Sequence, residues 1–317
     1  RSVSAFLLNR SSDLRLTAWA EYKDYIVSNA DYKVVNEVTL TNAGTLAEKL
    51  GLYVEWSYSG GAAYDEPRYI HGNYAKYDSL VVHGPLNDLD LWTIRYLTGN
   101  NGYNRGGVAT DGNLRYLNLY DTRIVKDDNK AHYLNKSWGI KWAWESIQNE
   151  NELPYNLFFN CTALESLVLP KTLTKINARI FEGCSALKRL AIPASLQDYD
   201  TWEYFKGLLD YPLDELVFVT DKPAVSDRGN PWGQEIGVAY TKKSQLPDYM
   251  NQPYLTRSTK TIVAPFEEDA VMESLAEKGE FFPSEYLQKE SIGNLFKENN
   301  KITRFEDFNQ FTKLKEL

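Results

Sequence analysis

Apolar positions in the middle of the chain recur with two spacings at once. The stretches F-F-N-C-T-A-L-E-S-L-V-L-P-K-T-L at 158–173 and F-E-G-C-S-A-L-K-R-L-A-I-P-A-S-L at 181–196 superpose at an offset of 23 residues, without a gap. Phe158 falls on Phe181, Cys161 on Cys184, Leu164 on Leu187, Leu167 on Leu190, Leu169 on Ile192, Pro170 on Pro193 and Leu173 on Leu196. Inside each unit the last two residues of L-x-x-L-x-L sit two apart, which puts both on one face of a strand. The proline that follows removes a backbone donor and stops the strand. The Phe and Cys three apart suit a short inward-pointing helical turn. One such unit cannot bury its apolar edge alone, so the pattern predicts stacked rungs joined by a parallel sheet.

Weaker copies extend the array. Leu114, Leu117 and Leu119 repeat the strand pattern, as do Leu213, Leu216 and Phe218, and Leu80 with Val82 predicts an earlier strand. Phe308, Phe311, Leu314 and Leu317 align with Phe158, Cys161, Leu164 and Leu167, so the natural chain is expected to continue into another repeat, or this end to fray or pack on a neighbour. Before the array, V-N-E-V-T-L at 35–40 predicts a strand. Thr41 or Asn42 is expected to cap a short helix through Thr45–Leu50, and the Gly, Ser, Tyr and Asn of 55–75 an irregular loop. Asn87 with Asp90 three residues on predicts a capped helix with Leu91, Ile94 and Leu97 as its apolar stripe. Past residue 218 the prolines of 219–262 break the repeat, T-I-V-A-P at 261–265 predicts a strand, and a helix is expected over 266–278 with Gly279 as its stop. The division read from these patterns is an N-terminal capping region over 1–75, a repeat region over 76–218 with an insertion at 126–155, a closing segment over 219–290 with the helix at 266–278, and the start of a further array over 291–317.

These units resemble the BspA-type leucine-rich repeat proteins found on the surface of anaerobic bacteria. The two 23-residue units carry the resemblance. G-P-L-N-D-L-D-L-W-T-I-R-Y-L at 84–97 with L-R-Y-L-N-L-Y-D-T-R-I-V at 114–125 resembles the family's non-repeating leading segment, and T-D-K-P-A-V at 220–225 its closing segment. The resemblance implies an α/β leucine-rich repeat solenoid of short parallel strands and short helical turns with an irregular N-terminal region. It also implies export, adhesion or protein binding, and no shared catalytic residues. Only two clean repeats occur together, a departure from a long uninterrupted array.

Composition narrows the partners. Lys+Arg 35 against Asp+Glu 43 gives a net charge of −8, which disfavours duplex nucleic acid and anionic membranes as partners of the whole surface. No apolar run is long enough to span a membrane. A chain beginning at Arg1 fits a mature or truncated form, and scarce Cys and Met beside abundant Tyr and Trp fits a life outside the cytoplasm.

Few residues are available for chemistry. Cys161 and Cys184 hold the same place in adjacent rungs, close enough for a disulfide. Parallel inward side chains favour two buried thiols instead. Neither has a histidine nearby in sequence, so a catalytic cysteine is not expected. His71, His83 and His132 do not form a metal motif, the glycine-rich stretch 99–107 lacks the spacing of a phosphate cradle, and Asp88 with Asp90 reads as helix capping rather than paired-carboxylate catalysis. No cofactor is expected.

The resulting expectation is a secreted or cell-surface protein, outer-membrane attached or free. It is non-catalytic and binds a protein, such as a host extracellular protein. Its candidate ligand positions are the outward strand residues Glu165, Ser166, Lys188, Arg189, Asp214 and Glu215. The alternative is a glycan-binding module using Trp138, Trp142 and Trp144 as flat aromatic platforms, against which stands their service in sealing the insertion onto the solenoid.

Overall fold

The computed structural model describes residues 37–58, 65–99, 110–126, 147–154, 156–176, 180–194, 196, 198–199, 209–220, 234–289, 291, 302–303, 305–311 and 313. Its fold is that of an α/β leucine-rich repeat solenoid: a large, mostly parallel sheet with short helices and turns packed against both of its faces.

The main sheet runs in the order β1 (Glu37–Thr39), β4 (Ser79–Leu86), β5 (Tyr116–Asn118), β8 (Ser166–Val168), β10 (Arg189–Ile192), β12 (Leu213–Phe218), β13 (Ile236–Thr241) and β14 (Thr259–Val263). Every neighbouring pair on this path is parallel. The register turns the repeat into ladders. Leu80, Leu117, Leu167, Leu190, Leu216, Ala239 and Ile262 are successive partners on the inward face. All but the last are buried in one continuous core, and Ile262 packs against it. β6 (Thr122–Ile124) adds to the far end of β4.

The opposite wall of the solenoid is a smaller parallel sheet of β7 (Glu152–Leu153), β9 (Lys175–Ile176) and β11 (Asp198–Tyr199). The turn between the walls stacks Phe158 on Phe181 at 5.9 Å. Asn160 and Gly183 are equivalent residues of the two clean units, and both take left-handed backbone, at φ 58° and 78°. Asparagine and glycine are the residue types that tolerate this conformation. A Cβ on Gly183 would lie 2.0 Å from Asn160 Oδ1, so only glycine fits the second position.

Several elements differ from the sequence expectation. The stretch read as a loop over 55–75 overlaps an antiparallel pair, β2 (Tyr53–Tyr58) and β3 (Asp65–His71), because its Tyr, Trp and Ile positions favour a pleated surface. The array does not end at 218: β13 and β14 add two more rungs in register, with the prolines confined to the turns and helices α3 (Leu246–Met250) and α4 (Pro253–Ser258) that separate them. β1, inside the expected N-terminal capping region, is already hydrogen-bonded to β4.

The N-terminal helix α1 (Leu46–Lys49) is not capped by Thr41 or Asn42. Asp90, on helix α2 (Asp88–Leu97), reaches back across the chain and accepts from Gly44 N at 2.6 Å and Leu46 N at 2.9 Å. It also accepts from Asn87 N at 3.1 Å, completing the capping box of its own helix. One carboxylate therefore closes two helix starts. Burial pushes the Asp90 carboxyl up to about 6, outweighing the opposite pull of its backbone donors.

Two outcomes test this framework. Leu190→Ala empties a fully buried position between two rungs and is expected to lower the unfolding free energy by about 2–5 kcal/mol in urea denaturation. Asp90 binds its proton more tightly folded than unfolded, so its contribution to stability falls as pH rises from about 4 to about 6, by on the order of 3 kcal/mol, and is flat above. Asp90→Asn should abolish that component of the pH profile.

Candidate protein-binding face

On the outward face of the sheet, Ser166, Arg189 and Glu215 are register partners in one row, as their shared position in the repeat requires. Glu165, Lys188 and Asp214 each precede a member of that row. The Glu165 carbonyl accepts from Lys188 N and Arg189 N, and the Lys188 carbonyl from Asp214 N and Glu215 N, which fixes the spacing of the three pairs. The six sequence-selected residues thus form one contiguous patch over β8, β10 and β12.

They are not equally accessible, and this corrects the expectation that all six face solvent. Lys188 and Asp214 are exposed at the edge. Glu165 is half-buried and holds Arg115 in a two-pronged ion pair, Nε to Oε1 at 2.7 Å and Nη2 to Oε2 at 2.8 Å. The Arg115 guanidinium beside it holds the Glu165 carboxyl below the usual carboxylate range. Ser166 and Glu215 are buried, at 5 % and 4 % exposure, and Arg189 is largely covered.

The cover is the C-terminal part of the same chain. Helix α5 (Asp269–Glu277), the turn at Phe281–Phe282 and helix α6 (Pro283–Tyr286) lie over the outward residues Val168, Ala191 and Val217, forming a second core on the far side of the sheet. Glu215 accepts from Ser284 N at 3.1 Å and from the Ser284 hydroxyl. Arg189 is ion-paired with Glu285, and its guanidinium lies 5.0 Å from the centre of the Phe282 ring. Burial pushes the Glu215 carboxyl above its ordinary value, with Ser284 and Arg189 pulling the other way and Glu285 adding to the rise.

Helix α5 starts at Asp269, later than the expected 266. Residues 266–268 are drawn off the helical path by Asp307, whose carboxylate accepts from Glu267 N at 2.8 Å and Glu268 N at 2.9 Å, while Phe266 enters the second core. Phe311 lies in that same core against Phe266 and Tyr286, and Phe308 packs on it. Neither stacks in the interior of the solenoid as the 150-residue alignment suggests, and Leu314 and Leu317 lie outside the described residues.

The signal for this cover is present in the sequence. S-L-V-L, R-L-A-I and E-L-V-F have apolar residues at outward as well as inward positions, the composition of strands buried on both faces. The C-terminal Phe266, Phe281, Phe282, Tyr286 and Phe311 supply the matching surface.

Toward the N-terminal end the outward face is open and polar. Tyr116 lies between two guanidiniums, Arg115 at 5.3 Å and Arg189 at 5.7 Å from its ring centre. His83 Nε2 is 3.0 Å from Glu37 and its Nδ1 3.4 Å from Asp121, and Lys171 pairs with Asp121 at 2.6 Å. His71 pairs with Glu55 at 2.5 Å across the β2–β3 hairpin. Both histidines therefore tie neighbouring elements together. Among the described residues no group of three His, Cys, Asp or Glu could hold a metal ion.

Asp88 serves structure too, accepting from Ile147 N at 2.9 Å. Cys161 and Cys184 are free thiols in the core. Cys184 Sγ donates to the Phe158 carbonyl at 2.8 Å, and burial pushes both thiols up, away from a reactive thiolate. Beside them the partly buried Arg95 donates to the carbonyls of Asn156 and Leu157, both at 2.8 Å, anchoring the turn between the walls. Trp138, Trp142, Trp144, His132 and most of the glycine-rich stretch lie outside the described residues.

Residues 147–207 match the family described as BspA type leucine rich repeat region (6 copies). Residues 147–207 carry BspA-type leucine-rich repeats. The match begins inside the stretch read as an insertion over 126–155, and β7 at Glu152–Leu153 pairs with β9, so the repeat starts before residue 155. No curated protein and no solved structure matches the chain. Leucine-rich repeats of this type are generally non-enzymatic, suggest protein binding, and are typically surface-associated. Among the described residues no helix is long and apolar enough to cross a membrane.

Thiol titration is expected to find neither cysteine reactive in the folded protein and both reactive in guanidinium chloride. A single disulfide instead would leave none in either condition.

Proposed function

We propose that this protein is an exported, cell-surface module that binds another protein through the outward face of its sheet and carries out no catalysis. The observation that carries the reading is the row Tyr116, Ser166, Arg189 and Glu215, register partners across four strands, flanked by Glu165, Lys188 and Asp214. A rigid parallel sheet sets charged and aromatic groups about 4.8 Å apart, a regular array suited to an extended protein surface. Arg and Tyr, which crowd the open part of this face, are the residue types that most often anchor such contacts. The acidic composition and the family's usual surface association support export. The ligand is a protein of the extracellular environment, such as a host protein, and attachment to the cell surface makes its capture adhesive.

The test is capture of extracellular proteins by the immobilised full chain, followed by affinity measurement on the captured partner. Reversing the exposed and half-exposed charges together, Glu165→Lys, Lys188→Glu and Asp214→Lys, is expected to weaken binding at least tenfold while leaving thermal unfolding little changed. Unaltered affinity would place the binding face elsewhere.

A further inference from the structure

The row proposed to bind a partner is already occupied by Glu280–Lys289 of the same chain. This segment does not belong to the solenoid. It crosses the rungs on the outward side, from Phe281 against Tyr120 at 5.0 Å beyond the end of β5 to Ser284 on Glu215 of β12. Its seat combines two aromatic anchors with directed polar contacts: Phe282 under the Arg189 guanidinium, Glu285 paired with Arg189, and both Ser284 donors on Glu215. That combination of apolar anchors and a few oriented polar groups is how a peptide is recognised by a preformed surface.

The fit also leaves buried polar groups poorly matched. The Tyr286 hydroxyl is buried with no hydrogen-bond partner among the described residues, and the Glu215 carboxylate is taken out of water to be matched chiefly by a serine. Both penalties vanish if the segment leaves the sheet, because water then reaches both groups. A helix stop stands directly before it, with Glu280 N donating to the Leu275 carbonyl at 2.8 Å. Gly279 has left-handed backbone at φ 82°, and nothing lies within 4 Å of where its Cβ would be. At the far end Lys289 pairs with Glu280 at 2.6 Å, closing the segment into a compact unit.

Building on the protein-binding reading, we infer that Glu280–Lys289 is a tethered pseudo-ligand, displaced when the face takes its true partner. That partner is a protein segment with the same chemistry: adjacent aromatic residues followed by a hydroxyl residue and a carboxylate. Binding is then autoinhibited, and the apparent affinity of the intact chain is lowered by the fraction of molecules in which the segment is seated.

Two measurements on the full chain test this. In hydrogen exchange, the amides of Tyr286 and Leu287 are expected to open at least a hundredfold more often than that of Leu190. Equal protection would make the segment a fixed part of the fold and overturn the inference. In fluorescence anisotropy, the probe is a labelled peptide with the sequence of residues 279–290. The release variant Ser284→Ala/Glu285→Lys should bind it at least tenfold more tightly than the wild type, and adding Arg189→Glu should abolish the gain. The milder Glu285→Gln should shift binding in the same direction.

No gain in a variant whose Leu190 amide remains protected, or equal binding of a scrambled peptide, would overturn the pseudo-ligand. Peptide capture by the released face with no extracellular protein captured by any form would support it and count against the surface-binding reading alone. Capture of a protein by the wild type with no segment release would do the reverse.

Discussion

Each rung of this solenoid has an apolar edge that only the next rung can bury. The inward ladder from Leu80 to Ile262 is therefore the constraint on which the rest of the structure depends. It requires the strands to be parallel and in register, because a shift of one residue would turn every leucine toward the other face. It also fixes the left-handed turn at Asn160 and Gly183, since the chain must reverse in the same place in each rung. Once the ladder forms, the outward positions are brought into rows without any further interaction to place them.

The long-range polar contacts solve a different problem. A solenoid exposes its ends and turns, where backbone N–H and C=O groups lack partners. Here single side chains reach across tens of residues to satisfy them: Asp90 at the starts of α1 and α2, Arg95 at the turn through Asn156 and Leu157, and Asp307 at the approach to α5. Each is at least partly buried, so each is valuable only while its partners stay in place. They bind the irregular parts to the regular array.

The C-terminal segment gives the outward face a double character. Val168, Ala191 and Val217 are apolar and need covering, whereas Arg189 and Glu215 are charged and need matching. A segment that supplies aromatic rings beside a serine and a glutamate meets both demands, and it leaves the Tyr286 hydroxyl as the residual cost. A binding face of this kind is apolar enough to hold a partner and polar enough to select one, and in the isolated chain it would otherwise attract unspecific association.

The repeat, the inward leucines, the strand-ending prolines and the capping box at Asn87 and Asp90 could all be read from the sequence, because each is a local pattern with a fixed period. So could the alignment of Ser166 with Arg189, from the 23-residue offset, and of both with Glu215, from the same L-x-x-L spacing at Leu213 and Leu216. The β2–β3 hairpin and β13 escape, and the strand read at 261–265 is not placed in the array, because their apolar spacing is diluted by glycine, tyrosine and proline, and neighbouring strands supply the missing stabilisation. The second partners of Asp90, 44 to 46 residues away, have no local signature at all. Which outward residues are free was decided only by tertiary structure. Sequence assigns a strand residue to a face through its two-residue period, but whether that face meets water depends on where a distant segment packs, and here Phe266, Phe281, Phe282, Tyr286 and Phe311 cover what the repeat alone leaves open.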